Sequence, residues 1–370
     1  MTNNTESAKS YDTAAINKLA KSQIEIVGSI PSIVWEKFRS QALKNVNESV
    51  TFDGFRKGQI PENVLIAKVG ESILLEEMAE LAISKSYVDI IIDNKLDPIG
   101  KPSVTITKLA KGNPLEFKAI TAVVPEVKLP DCKALADKEV KKSSGEKFDV
   151  SDKDVDEAIL KIRKSHAMQN PATLKVNSPV PKDKELSPEE KEKLLLESLP
   201  EFNDEFVRGL GDFKDVETFK IKVREIVGQD KKDQAREKLR IKIADSIVEA
   251  TKVELPDVMV ESELKRTQAQ FEDDLEKMGV KMDDYLKHAK KSLDEIKKEW
   301  TPHAEKKVKL QLILNAIATA NNIKPDQKEV EAEVEHILEH YKDADRERAA
   351  VYAETVLTNE KVFQWLESNK

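Results

Sequence analysis

The sequence predicts an α+β N-terminal domain, in which a helical hairpin packs on a small antiparallel sheet, followed by an elongated all-α C-terminal domain with projecting helical arms. Three observations support this fold class. Apolar residues alternate as in strands in residues 24–30, 104–106 and 115–123. Elsewhere apolar residues recur mainly at helical spacing. The composition, with 35% charged residues, 5% aromatic residues and 11 glycines, is typical of long solvated helices rather than of a compact catalytic α/β domain.

The length and charge limit the function classes. A chain of 370 residues with 39% hydrophobic content should form two or three units. A net charge of −8 argues against general nucleic-acid affinity, and no DNA partner is expected. The single cysteine, Cys132, excludes an internal disulfide and fits a reducing compartment. No apolar run approaches the roughly 18 residues of a membrane span, and residues 1–22 lack a signal-peptide core. We therefore expect a cytoplasmic protein without a membrane partner.

The first elements follow from local patterns. Residues 1–20 are polar, and we expect a disordered extension or a short helix through residues 14–19. A strand that ends at Pro31 comes next. Residues 32–46 then predict a helix, because apolar residues recur every four positions. After Pro61 a short helix and a longer one are expected before Asp97-Pro98, and the strands of residues 104–123 can cover this hairpin.

The middle and C-terminal parts are predicted to be helical. Residues 130–200 are rich in lysine, glutamate and proline, which predicts a linker with short helices at residues 151–167 and after the capping-box pattern at Ser187. A long helix is expected at residues 216–252, with a polar middle that is typical of a helix crossing solvent between packed ends. Further helices are expected at residues 258–278, 282–299, 302–321, 326–342 and 344–368.

One stretch, Gly54-Phe55-Arg56-Lys57-Gly58-Gln59-Ile60-Pro61, has the character of a docking loop. Its glycines permit positive φ, and Pro61 stands where a helix can begin, so a tight bend is expected. Phe55, Arg56 and Lys57 would then point outward, and an aromatic ring beside two cations suits a surface of phosphates, stacked bases or apolar pockets. A plain turn with a half-buried Phe55 and two solvated cations explains the same residues equally well.

This stretch resembles the ribosome-docking signature of the trigger factor family, the bacterial chaperones at the exit of the ribosomal tunnel. Six residues match the signature, namely Gly54, Phe55, Arg56, Lys57, Gly58 and Pro61. Gln59 departs from the lysine that is often found there. The resemblance implies that these six residues bind the ribosome, at an exit-tunnel ribosomal protein and rRNA. It continues at residues 97–102, 124–129 and 202–213, which implies a ribosome-binding domain at 21–129 and a helical chaperone domain at 201–370.

One part of the family pattern is missing. Val150–Asp156 resembles the stretch that leads into an FKBP-type prolyl isomerase domain. Such a domain needs on the order of 100 residues and an aromatic-lined pocket that desolvates the X-Pro amide. Residues 149–201 contain no Phe, Tyr or Trp. We therefore expect the linker in place of the isomerase domain, and no isomerase activity.

The resulting hypothesis is an ATP-independent chaperone that docks at the tunnel exit and shields nascent or unfolded polypeptides. The resemblance also allows a homodimer of the free protein. Two alternatives stay open: a peptidyl-prolyl cis/trans isomerase, as in full-length family members, and a non-ribosomal helical scaffold. His336 and His340 have a spacing that a metal could use, but no third ligand is evident and solvated histidines are preferred. No catalytic residues, cofactor or metal are expected.

Overall fold

The computed structural model describes residues 9–143, 149–169 and 199–368, together with residues 145 and 196. Contacts group the chain into two compact units with interleaved sequence ranges. One unit holds Met1–Pro130 and Val248–Val362, and the other holds Asp131–Ile247 and Phe363–Lys370. The proline-containing linker predicted at residues 170–181 and the helix predicted after Ser187 lie outside the described residues.

The N-terminal sheet is antiparallel and has the strand order β1-β2-β4-β3. Its strands are β1 (Thr13–Lys18), β2 (Gln23–Ile30), β3 (Pro98–Lys108) and β4 (Leu115–Val123). Alternate residues of β2 are buried, as expected for a strand with one face on a core. At Gly28 a Cβ atom would lie 2.5 Å from Cε1 of Phe117, so this position has room for glycine alone.

Helices complete the N-terminal α+β fold. They are α1 (Ser32–Trp35), a 3₁₀ turn (Glu36–Phe38), α2 (Arg39–Ser49), α3 (Glu62–Val69) and α4 (Glu71–Asp93). Trp35, Met78 and Ile90 are buried with Phe117 in one core shared by helices and sheet. The indole of Trp35 donates a hydrogen bond of 3.0 Å to the carbonyl oxygen of Asn113. The predicted hairpin on a small antiparallel sheet is confirmed.

Strand β1 corrects the prediction for residues 1–20, which expected disorder or a short helix at residues 14–19. β1 pairs with β2 from Thr13 opposite Ser29 to Lys18 opposite Ile24. Ala14 and Ile16 pack against the core. The segment is short and its apolar alternation is weak, so the pairing with β2 determines its conformation rather than its own sequence.

The rest of the described chain is helical. Its helices are α5 (Cys132–Ser143), α6 (Asp152–Gln169), α7 (Asp204–Leu210), α8 (Val216–Ala250), α9 (Asp257–Lys277), α10 (Met282–Ala289), α11 (Leu293–Ala320), α12 (Gln327–His340) and α13 (Arg346–Glu367). The predicted apolar stripe of residues 155–162 lies in the core of the second unit with Phe219 and Val223. Within the described residues, no helix has the length and apolarity of a membrane span.

Two predicted helix boundaries are wrong. Residues 282–299 do not form one helix, because α10 ends at Ala289 and the next residue, Lys290, has a left-handed φ of 54°. Helix α11 then begins at Leu293, and the preceding Ser292 forms a capping box with Glu295. Pro302 lies inside α11 instead of starting a helix. The cap upstream determines the start, and buried Ile296 and Ala304 continue the apolar stripe across the proline.

Candidate functional site

The Gly54–Pro61 loop joins α2 to α3 and is built from two consecutive β-turns. The amide of Phe55 donates to the carbonyl of Phe52 over 3.1 Å, and the amide of Gln59 donates to that of Arg56 over 3.0 Å. The third residue of each turn is a glycine with positive φ, 86° at Gly54 and 80° at Gly58. A type II turn needs this conformation at its third position, so the glycine spacing determines the path of the loop.

The turns expose the three side chains predicted to dock. Phe55 is 36% exposed, and Arg56 and Lys57 are exposed as well. Within the ranges that the structure describes, neither the Arg56 guanidinium nor the Lys57 ammonium lies within bonding distance of another residue. An apolar ring therefore stands beside two cations with unused hydrogen-bond donors, which can contact phosphate or carbonyl oxygens of another molecule.

A small separate core packs against the base of the loop. Val46 of α2, Ile60 of the loop and Leu65 of α3 are buried together. Lys68 lies over the Phe52 ring, with its Nζ atom 4.6 Å from the ring centroid. The loop is thus exposed at its tip and anchored at its base.

Asn47 holds the base of the loop, and sequence analysis missed it. Its side-chain amide donates to the carbonyl of Ile60 over 2.7 Å and accepts from the amide of Ile60 over 3.1 Å. Its main-chain carbonyl accepts from the amide of Gly58 over 3.2 Å. The only signal in the sequence is an asparagine close to a helix end, a residue that often bonds nearby backbone.

A second candidate surface lies on the C-terminal helices. An open groove of about 980 Å³ is lined by residues of α9, α11 and α13. Val351 and Tyr352 on α13 are 66% and 58% exposed, although they are apolar and aromatic. Charged Arg266 and Arg348 also line the groove. The groove is therefore a mixed apolar and charged surface, which suits weak contacts with varied chains.

The two histidines that were considered as metal ligands contact each other and the helix backbone. His336 and His340 lie on α12 with ring centroids 4.6 Å apart, and Nδ1 of His340 is 3.0 Å from the carbonyl oxygen of His336. The described part of the chain contains no group of three or more His, Cys, Asp or Glu residues placed to hold a metal.

Two sequence models of one protein family match the chain. The model described as bacterial trigger factor protein matches residues 13–162, and the model described as the C-terminus of that protein matches residues 215–367. The first range contains the complete Gly54–Pro61 loop. The chain belongs to the trigger factor family. The match also begins at β1, so the first strand is part of the family domain.

Relatives and a solved structure agree with this assignment. The trigger factor of Moorella thermoacetica is 26% identical, over 88% of this chain and 86% of the relative. That of Caldanaerobacter subterraneus is 25% identical, over 89% of this chain and 90% of the relative. A structure titled "Promiscuous Substrate Recognition in Folding and Assembly Activities of the Trigger Factor Chaperone" matches with a TM-score of 0.52 and 16% identity, covering 96% of this chain and 99% of that chain. This likeness shows the fold.

Part of the Moorella trigger factor has no counterpart in this chain. The alignment with the Moorella trigger factor spans 389 positions, more than the 370 residues of this chain, so the relative has residues without a counterpart here. The two family matches leave only residues 163–214 between them. An FKBP-type domain of on the order of 100 residues is about twice as long as this interval.

Proposed function

We propose that this trigger factor is an ATP-independent chaperone that docks at the ribosomal tunnel exit through the Gly54–Pro61 loop and shields nascent polypeptides with its C-terminal helices. Family membership supports the ribosome and the nascent chain as partners. The observation that carries the docking role is the exposed Phe55 beside two cations that have no side-chain partner among the residues the structure describes. The proposal assigns ribosome binding to the domain predicted at residues 21–129, together with the preceding strand β1, chaperone activity to residues 201–370, and a place in the cytoplasm to the whole protein.

The chemistry of the loop fits a ribosomal surface. Arg56 can bind a phosphate of rRNA through two parallel N–H groups, and Lys57 can add a second charge-assisted contact. The Phe55 ring can enter an apolar pocket of a ribosomal protein or stack on a base. Because the chain carries a net charge of −8, attraction to RNA must come from a local basic patch such as this group of cations.

Co-sedimentation with ribosomes tests the docking role. Joint replacement of Phe55, Arg56 and Lys57 by alanine should weaken binding by roughly a hundredfold or more, since interface contacts of this kind contribute on the order of 1–2 kcal/mol each. The unfolding temperature should not change, because all three side chains are exposed. A triple variant that sediments as well as the unchanged protein would refute the docking role.

Client binding is assigned to the groove on the C-terminal helices. Val351, Tyr352 and Val356 offer exposed apolar area, which an unfolded segment can cover without a defined sequence. Replacing all three by serine should reduce suppression of aggregation of an unfolded client while ribosome binding persists. Stoichiometric capture of one folded partner, without binding to unfolded clients, would instead support a scaffold. A homodimer of the free protein remains a prediction. Analytical ultracentrifugation of the protein without ribosomes would test it.

The proposal includes no bond-changing activity. The interval between the two family matches, residues 163–214, is about half as long as an FKBP-type domain, so we expect no apolar pocket that would lower a barrier of roughly 18–20 kcal/mol. In a refolding assay limited by proline isomerisation, the protein should give no rate increase beyond that of a client-holding control protein. A catalytic, substoichiometric increase would show that the isomerase function is present.

A further inference from the structure

We infer that Asn47 is a positioning residue for ribosome docking, which holds the Gly54–Pro61 loop in its binding conformation before the ribosome is met. This inference rests on the docking role proposed above. Asn47 does not itself belong to the exposed tip, because the contacts it makes are with Gly58 and Ile60 at the base of the loop.

The position of Asn47 in α2 explains why it can do this. Helix α2 ends at Ser49, so carbonyl groups of its last turn have no partner within the helix. The last helical bond runs from the amide of Val50 to the carbonyl of Val46. The next carbonyl, that of Asn47, is therefore free to accept the amide of Gly58.

The side chain adds a two-point contact. A carboxamide has a donor and an acceptor side by side, and Asn47 presents them to the carbonyl and the amide of Ile60 at 2.7 and 3.1 Å. This pairing resembles one rung of a β-ladder. Ile60 is also buried with Val46 and Leu65. Water therefore cannot readily replace the two hydrogen bonds between Asn47 and the Ile60 backbone.

The two glycines of the exposed tip have few other neighbours in the described chain. A Cβ atom placed on Gly54 would have no neighbour within 4 Å, and one on Gly58 would meet only the Cγ atom of Glu48 at 3.7 Å. Within the tip, the two turns have one backbone hydrogen bond each. Without Asn47 the two turns would persist, but their orientation relative to α2 would vary, and docking would have to restore it.

The test compares Asn47→Ala with Asn45→Ala. Asn45 is a matched control, since it lies on the same helix, is also half-buried, and donates its own hydrogen bond of 2.7 Å to Glu77 on α4. Loss of two hydrogen bonds at the loop base should weaken the Kd for purified ribosomes roughly tenfold in Asn47→Ala. Asn45→Ala should bind within about twofold of the unchanged protein.

Two further readouts separate positioning from general destabilisation. Amide hydrogen exchange should speed up about tenfold at Gly58 and Ile60 in Asn47→Ala and stay unchanged in β2. The loss of ribosome affinity caused by Lys57→Ala should also be smaller in the Asn47→Ala background than in the unchanged protein. A loop without a fixed orientation places Lys57 less often in contact with the ribosome. Equal costs in both backgrounds, or faster exchange throughout the N-terminal core, would overturn the inference.

The inference and the docking role can fail separately. If the triple alanine variant at residues 55–57 still sediments with ribosomes, the docking role fails. If that variant loses binding while Asn47→Ala binds like the unchanged protein, the docking role stands and Asn47 has no part in it.

Discussion

Two basic turns in the N-terminal part of the chain use their lysines in opposite ways. The turn from Ala20 to Gln23 joins β1 to β2 and is closed by a hydrogen bond of 3.3 Å. Its Lys21 ammonium contacts both carboxylate oxygens of Asp257 at 2.9 Å, and its amide donates to Glu254. Lys57, in the Gly54–Pro61 loop, has no such partner among the described residues. The Lys21 ammonium is already paired within the chain, whereas the Lys57 ammonium is available to another molecule.

The two turns also differ in which residues adopt positive φ. Lys21 and Ser22 have φ values of 57° and 52°, a conformation that costs residues with a side chain roughly 1–2 kcal/mol each. The residues of this turn also make exposed contacts to Glu254 and Asp257. In the Gly54–Pro61 loop, glycines take the positive φ values. Glycine adopts this conformation without steric cost, and the side chains between the two glycines are exposed.

Among single substitutions that compare the two turns, the largest effect is expected where a substitution places backbone strain in the Gly54–Pro61 loop. Gly58→Val puts a β-branched residue at a φ of 80°, and the second turn must change to relieve it. Ribosome affinity should fall by roughly tenfold or more, since about 1.4 kcal/mol corresponds to a factor of ten.

Gly112→Val provides the control for this prediction. Gly112 has a φ of 74° and open space around it, but it lies in the turn between β3 and β4. The substitution should lower stability by a similar amount and leave ribosome affinity unchanged. An equal loss of affinity in both variants would mean that strain at any turn disturbs binding, and that the Gly54–Pro61 loop is not special.

A smaller effect is expected in the salt dependence of ribosome binding. A lysine that neutralises a phosphate releases about one counterion, so Lys57→Ala should lower the slope of log K against log salt by about one. Lys21→Ala should leave the slope unchanged, because the Lys21 ammonium already forms an ion pair with Asp257. Equilibrium binding at four or five salt concentrations measures both slopes. A change caused by Lys21→Ala would contradict the contrast between the turns.

The smallest effect concerns pH. The hydrogen bond to Asp257 raises the pKa of Lys21 above its ordinary value of 10.5. Because the folded pKa is the higher one, stabilisation by this contact is complete below pH 10.5 and is lost as the pH rises through the folded pKa. An NMR titration of the Lys21 side chain should show a lower pKa in Asp257→Asn than in the unchanged protein. Identical titration curves would show that the contact does not form in solution.

Much of the fold could be predicted from periodicity, because long elements carry their own pattern. Helix α8 and the strand of residues 23–30 were found in this way, and the Gly54–Pro61 loop was found from its glycine spacing and its aromatic and basic residues. Strand β1 could not be predicted, since six residues of weak alternation become a strand only through pairing. The start of α11 was missed because Pro302 is the stronger sequence signal, while the cap at Ser292 is the one that operates.

The residues of the candidate site likewise fall into those that the sequence predicts and those that only the fold brings together. Residues 54–58 and Pro61 lie within eight consecutive positions, so the sequence itself brings them together. Asn47 and Ile60 meet only after α2 has positioned one and the loop has returned with the other. Likewise, the engagement of Lys21 depends on Asp257, which is more than two hundred residues away. Composition cannot distinguish a free lysine from an engaged one, and that distinction separates a docking turn from a structural one.

Site-specific photo-crosslinking tests the central claim most directly. A photoreactive phenylalanine analogue can replace Phe55 or, in a second variant of the full chain, Lys21, and each variant is irradiated with purified ribosomes. The account predicts crosslinks from position 55 to a ribosomal protein or rRNA near the tunnel exit, and none from position 21. Crosslinks from position 21 with none from position 55 would contradict it.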